Sequence, residues 1–499
     1  MTDSNKRSAP EGIPRRRLLA MGLGGATLSG LGVPLRLRAA PERVDVAIVG
    51  AGLAGLNAAI MLEELGASVR LLEAGQQPGG RCLTRDMQSH AIDVGASQIG
   101  ASYARVHDMC RRLGVELAPG AHLNAPYAPV VGGRLIPAGD WPDSTFNLTQ
   151  GAEREVMPHA LTDFYVGQRT PFDGINEWRS PEAAQYDISI ADWLQQQGAS
   201  PEAVRIIFES NGRMSLEQQS ILRMLQELTR GKAEMQGFSE EQRRTLDHYE
   251  IASLISSHVV GGTSRLTDAM AAQVGDNLRL ASRVTAIDKG PTGCRLQLAD
   301  GAAVSADFAI LALPFSTLRN IRFTPALQGT QAEAITDMVY NNQSQIWFGV
   351  KAPYWEEDGI EASMWTDGPL QLIRQQIEPD GSRTVMSAIA SGSKAASLDA
   401  MPSRERGEFA LREIARIRPS TKGKLEVLGT FSWREGRSAG GCSFTYPVGR
   451  VLDWVHNMGK PHGRIHFAGE HLRQVELGME AAMASGERAA IDIAARVVA

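Results

Sequence analysis

Three glycines and one glutamate in the stretch Val44–Ala74 have the types and spacing needed to bind a phosphorylated ligand. Gly50 permits a tight turn, Gly52 lets the backbone approach a pyrophosphate, and Gly55 lets a helix pack closely on a strand. Glu73 follows about 20 residues later, where a carboxylate can accept hydrogen bonds from a ribose. The pattern predicts a dinucleotide site.

The elements that must position these residues lie in the same stretch. Val44–Val49 is rich in β-branched residues and predicts a buried parallel strand. A helix is predicted to run through Leu65, and Ser68–Leu72 predicts a second strand. The helix N-terminus offers free N–H groups and a partial positive charge to phosphates. A plain strand–helix–strand turn without a ligand is the alternative.

Four distant segments carry glycines or charges that suit the same ligand. They are Gly79-Gly80-Arg81, Asp93-Val94-Gly95, Val259–Leu266 and Ile465–Gly486. Arg81 offers a charge-assisted partner for a phosphate. The last segment combines a short strand, an acid and a glycine-flanked helix start.

Together these segments resemble the flavin-dependent amine oxidase superfamily, which includes monoamine oxidases, polyamine oxidases and L-amino-acid oxidases and, more distantly, porphyrinogen oxidases and carotenoid desaturases. The resemblance implies an α/β fold, with a discontinuous Rossmann-like FAD-binding domain and a mixed α+β substrate domain that has a helical insertion. The expected boundaries are 1–40 for a signal and linker, 41–120, 255–330 and 425–499 for the FAD-binding domain, and 121–254 and 331–424 for the substrate domain.

The resemblance also implies FAD as the cofactor, with Val284 contacting adenine and Glu470 the ribityl or pyrophosphate portion. The residues implied to bind FAD are Gly50, Ala51, Gly52, Gly55, Glu73, Ala74, Gly80, Arg81, Gly95, Val284, Cys442, Gly469, Glu470, Gly478 and Met479.

The implied reaction is oxidation of a small-molecule amine. Hydride passes from the carbon beside nitrogen to flavin N5, the resulting imine is hydrolysed, and oxygen or a redox carrier is the final acceptor. Many family members hold a water at N5 with a lysine. Asn320 stands at that place here, with Arg322 close by, so both are candidate catalytic residues near N5.

Other positions depart from the monoamine oxidases. Cys442 falls at the position where those enzymes attach the flavin. It is therefore either linked to the flavin through a thioether or simply a small buried residue. Ser443 and Met479 stand where those enzymes have two aromatic rings, which implies a wider pocket. Trp433 and Gln98 complete the candidate substrate pocket.

Three alternative functions remain open. An L-amino-acid oxidase is expected to clamp the substrate carboxylate with an arginine soon after Asp93-Val94-Gly95. The first arginine there is Arg105, which favours a plain amine, although Arg319 or Arg322 remains as a partner. A desaturase or porphyrinogen-type oxidase acting on an apolar substrate is the second alternative, and a non-enzymatic flavin-binding scaffold is the third.

Length and composition narrow the class of protein. A chain of 499 residues suggests two or more domains. A net charge of −5 gives no reason to expect a nucleic-acid partner. The four cysteines lie far apart without a CxxC pair, so we expect neither a metal site nor a disulfide framework. Oligomeric state stays open, with a homodimer as one option.

The N-terminus carries a targeting pattern. Arg15-Arg16-Arg17 and Leu18-Leu19 precede a glycine-rich, weakly apolar segment that ends near Val33. The pattern resembles a twin-arginine export signal and predicts a periplasmic or secreted protein. The apolar part is too short for a transmembrane segment. A chance basic tail is the alternative.

Overall fold

Two large β-sheets organise residues 42–497 in a computed structural model of the protein. The predicted export signal at residues 1–40 lies outside the described residues. The structure describes residues 42–120, 127–211, 215–246, 251, 254–377, 382–435 and 440–497.

The strand Glu42–Val49 (β1) lies inside an eight-stranded sheet and is fully buried from Val46 onward. It pairs in parallel on both sides, with Ile48 opposite Leu71 and Ile310. The other strands of this sheet are Val69–Leu72 (β2), Leu278–Arg279 (β10), Val284–Lys289 (β11), Cys294–Leu298 (β12), Ala303–Leu311 (β13), Arg322–Thr324 (β14) and Ile465–Phe467 (β22). Their spatial order is β10, β2, β1, β13, β12, β11 and β14, with β22 also beside β13.

The second sheet has seven strands and mixes parallel with antiparallel pairs. Its strands are Tyr127–Val131 (β7), Arg134–Leu135 (β8), Gln343–Val350 (β16), Ser363–Thr366 (β17), Leu372–Gln375 (β18), Val385–Ser391 (β19) and Leu425–Ser432 (β20). Smaller sheets pair Thr84–Met87 (β3) with His90–Asp93 (β4), Ile99–Gly100 (β5) and Leu117–Pro119 (β6) with Ser256–Val259 (β9), and Val339–Asn341 (β15) with Ser443–Thr445 (β21).

Helices cover the first sheet and fill the segment between β8 and β9. The α-helices are Leu53–Glu64 (α1), Ala104–Leu113 (α2), Leu161–Val166 (α3), Ile190–Gln196 (α4), Pro201–Asn211 (α5), Leu222–Met235 (α6), Glu240–Thr245 (α7), Ser264–Val274 (α8), Phe315–Leu318 (α9), Thr330–Asp337 (α10), Trp355–Asp358 (α11), Gly392–Asp399 (α12), Ser403–Ile417 (α13), Val451–Asn457 (α14) and Gly478–Val497 (α15). None of the helices in the described ranges is both long and apolar enough to cross a membrane.

The predicted fold class is confirmed. The first sheet is Rossmann-like and discontinuous in sequence, because its strands come from the start, middle and end of the chain. The α1 helix packs against α15 and α8 on this sheet. The second sheet, with the helical segment between β8 and β9, forms the mixed α+β part with its insertion.

One expected boundary is wrong. Residues 425–499 were expected to belong to the FAD-binding domain, but β20 pairs with β16 of the second sheet, with Trp347 opposite Gly429. An apolar strand can pair within either sheet, and contacts with residues far away in sequence determine which sheet it joins. The boundary therefore moves past Ser432.

We expect Gly486→Ala in α15 to destabilise the protein by about 1–3 kcal/mol, because its Cβ would lie 2.2 Å from the carbonyl oxygen of Ala54 on α1. Thermal unfolding of the purified protein measures this as a lower Tm. Gly231→Ala in α6 is the matched control, because a Cβ there meets nothing within 4 Å. A Gly486→Ala variant as stable as the control would contradict the close helix contact.

Candidate active site

A cavity of about 750 Å³ opens where four parallel strands of the first sheet end. Gly50 follows β1, Glu73 follows β2, Ala312 follows β13 and Gly469 follows β22, and all four residues line the cavity. The carboxyl ends of parallel strands are the usual ligand-binding edge of such sheets. The cavity is therefore the candidate active site.

Most of the site residues proposed from the sequence line this cavity. Those that line the cavity are Gly50, Gly52, Glu73, Ala74, Gly80, Arg81, Gly95, Val284, Asn320, Trp433, Cys442, Ser443, Gly469, Glu470, Gly478 and Met479. Ala51, Gly55, Gln98 and Arg322 are not among the lining residues.

Glycine is required at both ends of the turn after β1. Gly50 has φ +102°, and a Cβ there would lie 2.6 Å from the carbonyl oxygen of Ala312. A Cβ on Gly55 would lie 1.9 Å from the carbonyl oxygen of Gly50. Gly55 therefore acts behind the cavity, where it lets α1 pack on the turn. Gly52, the N-cap of α1, provides no side-chain cap, so the first N–H groups of the helix are left for a ligand.

Glu73 is buried and held by two backbone groups. The Ala51 N–H donates to its Oε2 at 2.8 Å, and the Gly75 N–H donates to its Oε1 at 2.7 Å. Ala51 thus supports the site through its backbone without lining the cavity. Each carboxylate oxygen keeps further acceptor capacity for ribose hydroxyls.

Arg81 joins three segments that are distant in sequence. Its guanidinium donates to the carbonyl oxygen of Cys442 at 3.1 Å and lies 3.5 Å from Glu470. It also lies over the ring of Tyr340, 6.0 Å from the centroid. A Cβ on Gly95 would lie 2.0 Å from the Arg81 carbonyl oxygen, so this glycine is needed for close backbone packing.

Two predicted site residues are corrected by the structure. Arg322 is exposed on β14, where it pairs with Ala286 of β11, so it is not a catalytic candidate. Gln98 is exposed just before β5 and is not a pocket residue. For Arg322, strand register decides which way the side chain faces, and the prediction followed only proximity in sequence. Gln98 lies in the segment between β4 and β5, whose path the sequence did not predict.

Asn320 and Trp433 line the cavity from different elements. Asn320 lies between α9 and β14 and is exposed to solvent. Trp433 directly follows β20, is buried, and donates from its indole N–H to the carbonyl oxygen of Val94 at 3.1 Å. That hydrogen bond fixes the ring at the wall.

Several polar residues around the start of α15 were not predicted from the sequence. Arg473 is nearly fully buried between Glu470 and Glu227. The Tyr103 hydroxyl lies 3.0 Å from the position that a Cβ on Gly478 would take. Burial raises the pKa of Tyr103 to about 12, so the phenol stays protonated. No sequence signal marks Arg473, because the segment from Gly469 to Gly478 also contains Glu470, His471, Gln474 and Glu476.

His471 is a second residue that sequence reasoning missed. Burial, with the cations of Arg81 and Arg473 nearby, lowers the pKa of His471 to about 3, so its ring is neutral at physiological pH. The ring packs on Phe315 with centroids 4.1 Å apart. Its role is that of a neutral packing residue behind Gly469.

The donors in the wall fit FAD and offer no metal site. An uncapped helix N-terminus and Arg81 suit the phosphates, and the fixed Glu73 carboxylate suits a ribose. Nowhere in the described ranges do three or more metal-ligating His, Cys, Asp or Glu side chains cluster.

The fold and the cavity define a dinucleotide-binding protein of the Rossmann-like class. Within that class, the family described as flavin containing amine oxidoreductase matches residues 53–494. The chain belongs to this family, and it is an FAD-dependent amine oxidoreductase.

Individual relatives agree with this assignment. The chain is 24% identical to the flavin-containing amine oxidase B of Bos taurus over 467 residues, which cover 91% of this chain and 86% of that protein. It is 27% identical to an L-amino-acid oxidase of Mus musculus over 500 residues, covering 92% of this chain and 72% of that protein.

Solved structures show the same fold. Putrescine oxidase bound to putrescine superposes with a TM-score of 0.71 at 21% identity, covering 92% of this chain and 100% of that one. Cyclohexylamine oxidase from Brevibacterium oxydans superposes with a TM-score of 0.72 at 22% identity, covering 91% of this chain and 100% of that one.

We expect Glu73→Gln to weaken FAD binding by about tenfold or more, which corresponds to about 1.4 kcal/mol of binding free energy. The reason is that both oxygens of Glu73 accept a backbone N–H, and in glutamine one of these oxygens is replaced by an NH₂ group that cannot accept. Fluorescence titration of the apoprotein with FAD gives the Kd. Glu63→Gln is the control, because Glu63 accepts a hydrogen bond from Asn277 outside the cavity. Equal affinities in the two variants would contradict a ribose-binding role.

Proposed function

We propose that the protein oxidises a plain amine, rather than an α-amino acid, to an imine, with oxygen or an electron carrier as the final acceptor. The chemistry that bound FAD supplies is hydride acceptance at N5 from the carbon beside the amine nitrogen. The protein's own contribution is to bind the amine in its neutral form, to orient it, and to limit water around it.

The observation that carries this proposal concerns the arginines that could bind the carboxylate of an amino-acid substrate. They either bind other groups of the protein or lie outside the cavity wall. Arg319 donates through Nε and Nη2 to the carbonyl oxygens of Ile335 and Met338, at 2.6 and 2.5 Å. Arg322 is exposed outside the cavity wall. Neither arginine is therefore offered to an amino-acid carboxylate.

Arg105 and Arg81 also have partners within the protein. Arg105 pairs with Glu480 at 3.0 Å and with Glu487. Of the lining residues, only Arg81 and Arg283 are cationic. Arg81 is held by Cys442 and Glu470, and Arg283 adjoins Val284 beside the Glu73 end of the wall.

The pocket walls favour a neutral amine of some bulk. Ser443 is small, Met479 is flexible and buried, and Trp433 is a fixed aromatic wall. Apolar surroundings disfavour the ammonium form, because burial disfavours charge, and so increase the fraction of reactive neutral amine.

We also propose that Asn320 holds a water beside the cofactor, where relatives use a lysine. An amide both donates and accepts hydrogen bonds, which suits it to orient a water without adding charge. The support is its place in the cavity wall. An uncharged residue there is expected to change reactivity toward oxygen, so an electron carrier is an equal candidate as acceptor.

The amine proposal is tested by mixing the purified protein anaerobically with amines, including putrescine and cyclohexylamine, with L-amino acids, and with tetrapyrroles. We expect bleaching of the flavin absorbance by amines only, because Arg105 and Arg319, which could otherwise bind a substrate carboxylate, are engaged by other groups. Bleaching by amino acids alone would favour the competing amino-acid oxidase function. Bleaching by tetrapyrroles alone would favour the porphyrinogen-type function, and the absence of any bleaching would favour a scaffold.

Two further readouts use the same preparation. Reoxidation by air or by an artificial acceptor separates an oxidase from a dehydrogenase. Acid precipitation decides between the two alternatives for Cys442, which lines the cavity with its Sγ 3.8 Å from Gln343 Oε1. Flavin released into the supernatant excludes a thioether, and flavin retained in the pellet establishes it.

We further propose that residues 1–40 direct twin-arginine export, which transports folded proteins and so allows FAD to be acquired first. The support is the arginine run followed by a short glycine-rich apolar segment. The double substitution Arg15→Lys and Arg16→Lys is expected to retain a fused reporter in the cytoplasm. Arg17→Lys is the matched control, and equal export of both variants would refute the signal.

A further inference from the structure

One arginine of the second sheet has no protein partner for its charge. Arg374 lies on β18, and its side chain makes no hydrogen bond or ion pair with any residue in the described ranges. The side chain is only partly exposed, and its Nε is buried. Taking an ionised donor out of water without a partner costs free energy, so such a group requires an explanation, and a bound ligand is one.

A second unpaired polar group lies directly beside this arginine. Ser387 on β19 is opposite Arg374 in the antiparallel register, so both side chains lie on the same face of the sheet. Ser387 is fully buried, and its Oγ has no hydrogen-bond partner within the described part of the chain. A guanidinium and a hydroxyl side by side can both donate to the two oxygens of one carboxylate.

The face that carries this pair is the face turned towards the cofactor cavity. β19 continues along it to Ile389, which lies opposite Gln345 of β16. Gln345 Nε2 donates to the carbonyl oxygen of Val94 at 2.9 Å, and the indole N–H of Trp433 donates to the same oxygen at 3.1 Å. Because Trp433 lines the cavity, Gln345 marks the place where this face meets the cavity wall.

The sheet leaves room for a ligand between that wall and Arg374. β19 is an inner strand between β16 and β18, yet Ile389 is partly exposed and belongs to none of the hydrophobic clusters that the described residues form. Leu372, beside Ile389 on β18, is partly exposed too. Strand spacings of about 4.8 Å and residue spacings of about 3.3 Å put Cα of Arg374 about 12 Å from Cα of Gln345.

We propose that Arg374 and Ser387 bind a carboxylate at the far end of the substrate, so that the protein oxidises amines that carry an acid group several carbon atoms from the nitrogen. The inference rests on the proposed function, because the amine end must reach the cofactor. In an α-amino acid one carbon joins nitrogen and carboxylate, and such a molecule is too short to reach both places. The carboxylate takes no part in the reaction and only orients the substrate.

Steady-state kinetics with two matched substrates test this inference. ε-Aminocaproate and hexylamine have the same chain length and the same primary amine, and they differ in the terminal carboxylate. We expect the unaltered holoenzyme to have the higher kcat/KM for ε-aminocaproate. Arg374→Gln is expected to reduce this preference by about tenfold or more, mainly through a higher KM, because charge-assisted hydrogen bonds to the carboxylate are lost.

Further variants separate binding of the carboxylate from a structural role. Arg374→Gln is expected to leave kcat/KM for hexylamine unchanged, and Arg374→Lys, which keeps the charge but not the planar fork, to restore part of the preference. Ser387→Ala is expected to reduce the preference less than Arg374→Gln does, because a neutral donor is lost. An equal loss for both substrates in Arg374→Gln would overturn the inference.

Arg383→Gln is the matched control for the change in charge. Arg383 lies just before β19, is exposed, and stands over the ring of Trp355 at 5.8 Å from the centroid. Trp355 packs on the cluster at the opposite face of the sheet. The control is expected to keep the full preference for ε-aminocaproate. A loss as large as that in Arg374→Gln would overturn the inference.

A ligand that cannot be oxidised separates this inference from the proposed function. Hexanoate has the carboxylate but no amine, and calorimetric titration of the holoenzyme gives its Kd. We expect Arg374→Gln to raise that Kd by about tenfold or more. Such a rise together with a failed amine panel would refute the amine reaction alone. Oxidation of amines without any preference for ε-aminocaproate, and with equal hexanoate affinities, would refute the carboxylate site alone.

Discussion

The rest of the site depends on a contact between backbones at the end of β1. No side chain fits between Gly55 and the Gly50 carbonyl oxygen, because a Cβ would lie 1.9 Å from that oxygen. At the neighbouring residue of α1, Gly486 of α15 makes a similarly close approach, since a Cβ there would lie 2.2 Å from the Ala54 carbonyl oxygen. These two glycine contacts fix the position of α1 and the direction of its N-terminus. The same turn fixes the position of Glu73, because the Ala51 N–H of the turn donates a hydrogen bond to the Glu73 carboxylate.

A second constraint is electrostatic and joins the two large parts of the chain. Arg81, from the segment after β2, contacts the backbone of Cys442 and the side chain of Glu470, so one guanidinium fixes three separate pieces of the cavity wall. Arg473 forms ion pairs with Glu470 on one side and with Glu227 of α6 on the other, and so connects the cavity wall to that helix. Shape at one end of the cavity is thus set by glycines, and electrostatic potential at the other end by arginines.

The sequence predicts those parts of the site that depend on local spacing. The strand, turn and helix around Gly50 could be predicted because each residue acts within a few positions of its neighbours. The placement of Arg322 and β20 could not be predicted, because register and strand partner are decided by distant pairing. The ion pair between Glu227 of α6 and Arg473 was missed for a related reason: a charged helix face usually meets solvent, and only tertiary packing shows that this residue meets Arg473.

The order of strands in the first sheet has a consequence for how the protein is made. β1 needs β13 as its partner, with Glu42 opposite Val304, and β22 joins only from Ile465 onward. Such non-local pairing gives a high contact order and slow folding. The emerging chain exposes β1 on the ribosome long before its neighbour is synthesised. The cavity is therefore complete only when the nearly complete chain has been synthesised, because Gly469, Glu470 and Met479 form part of its wall.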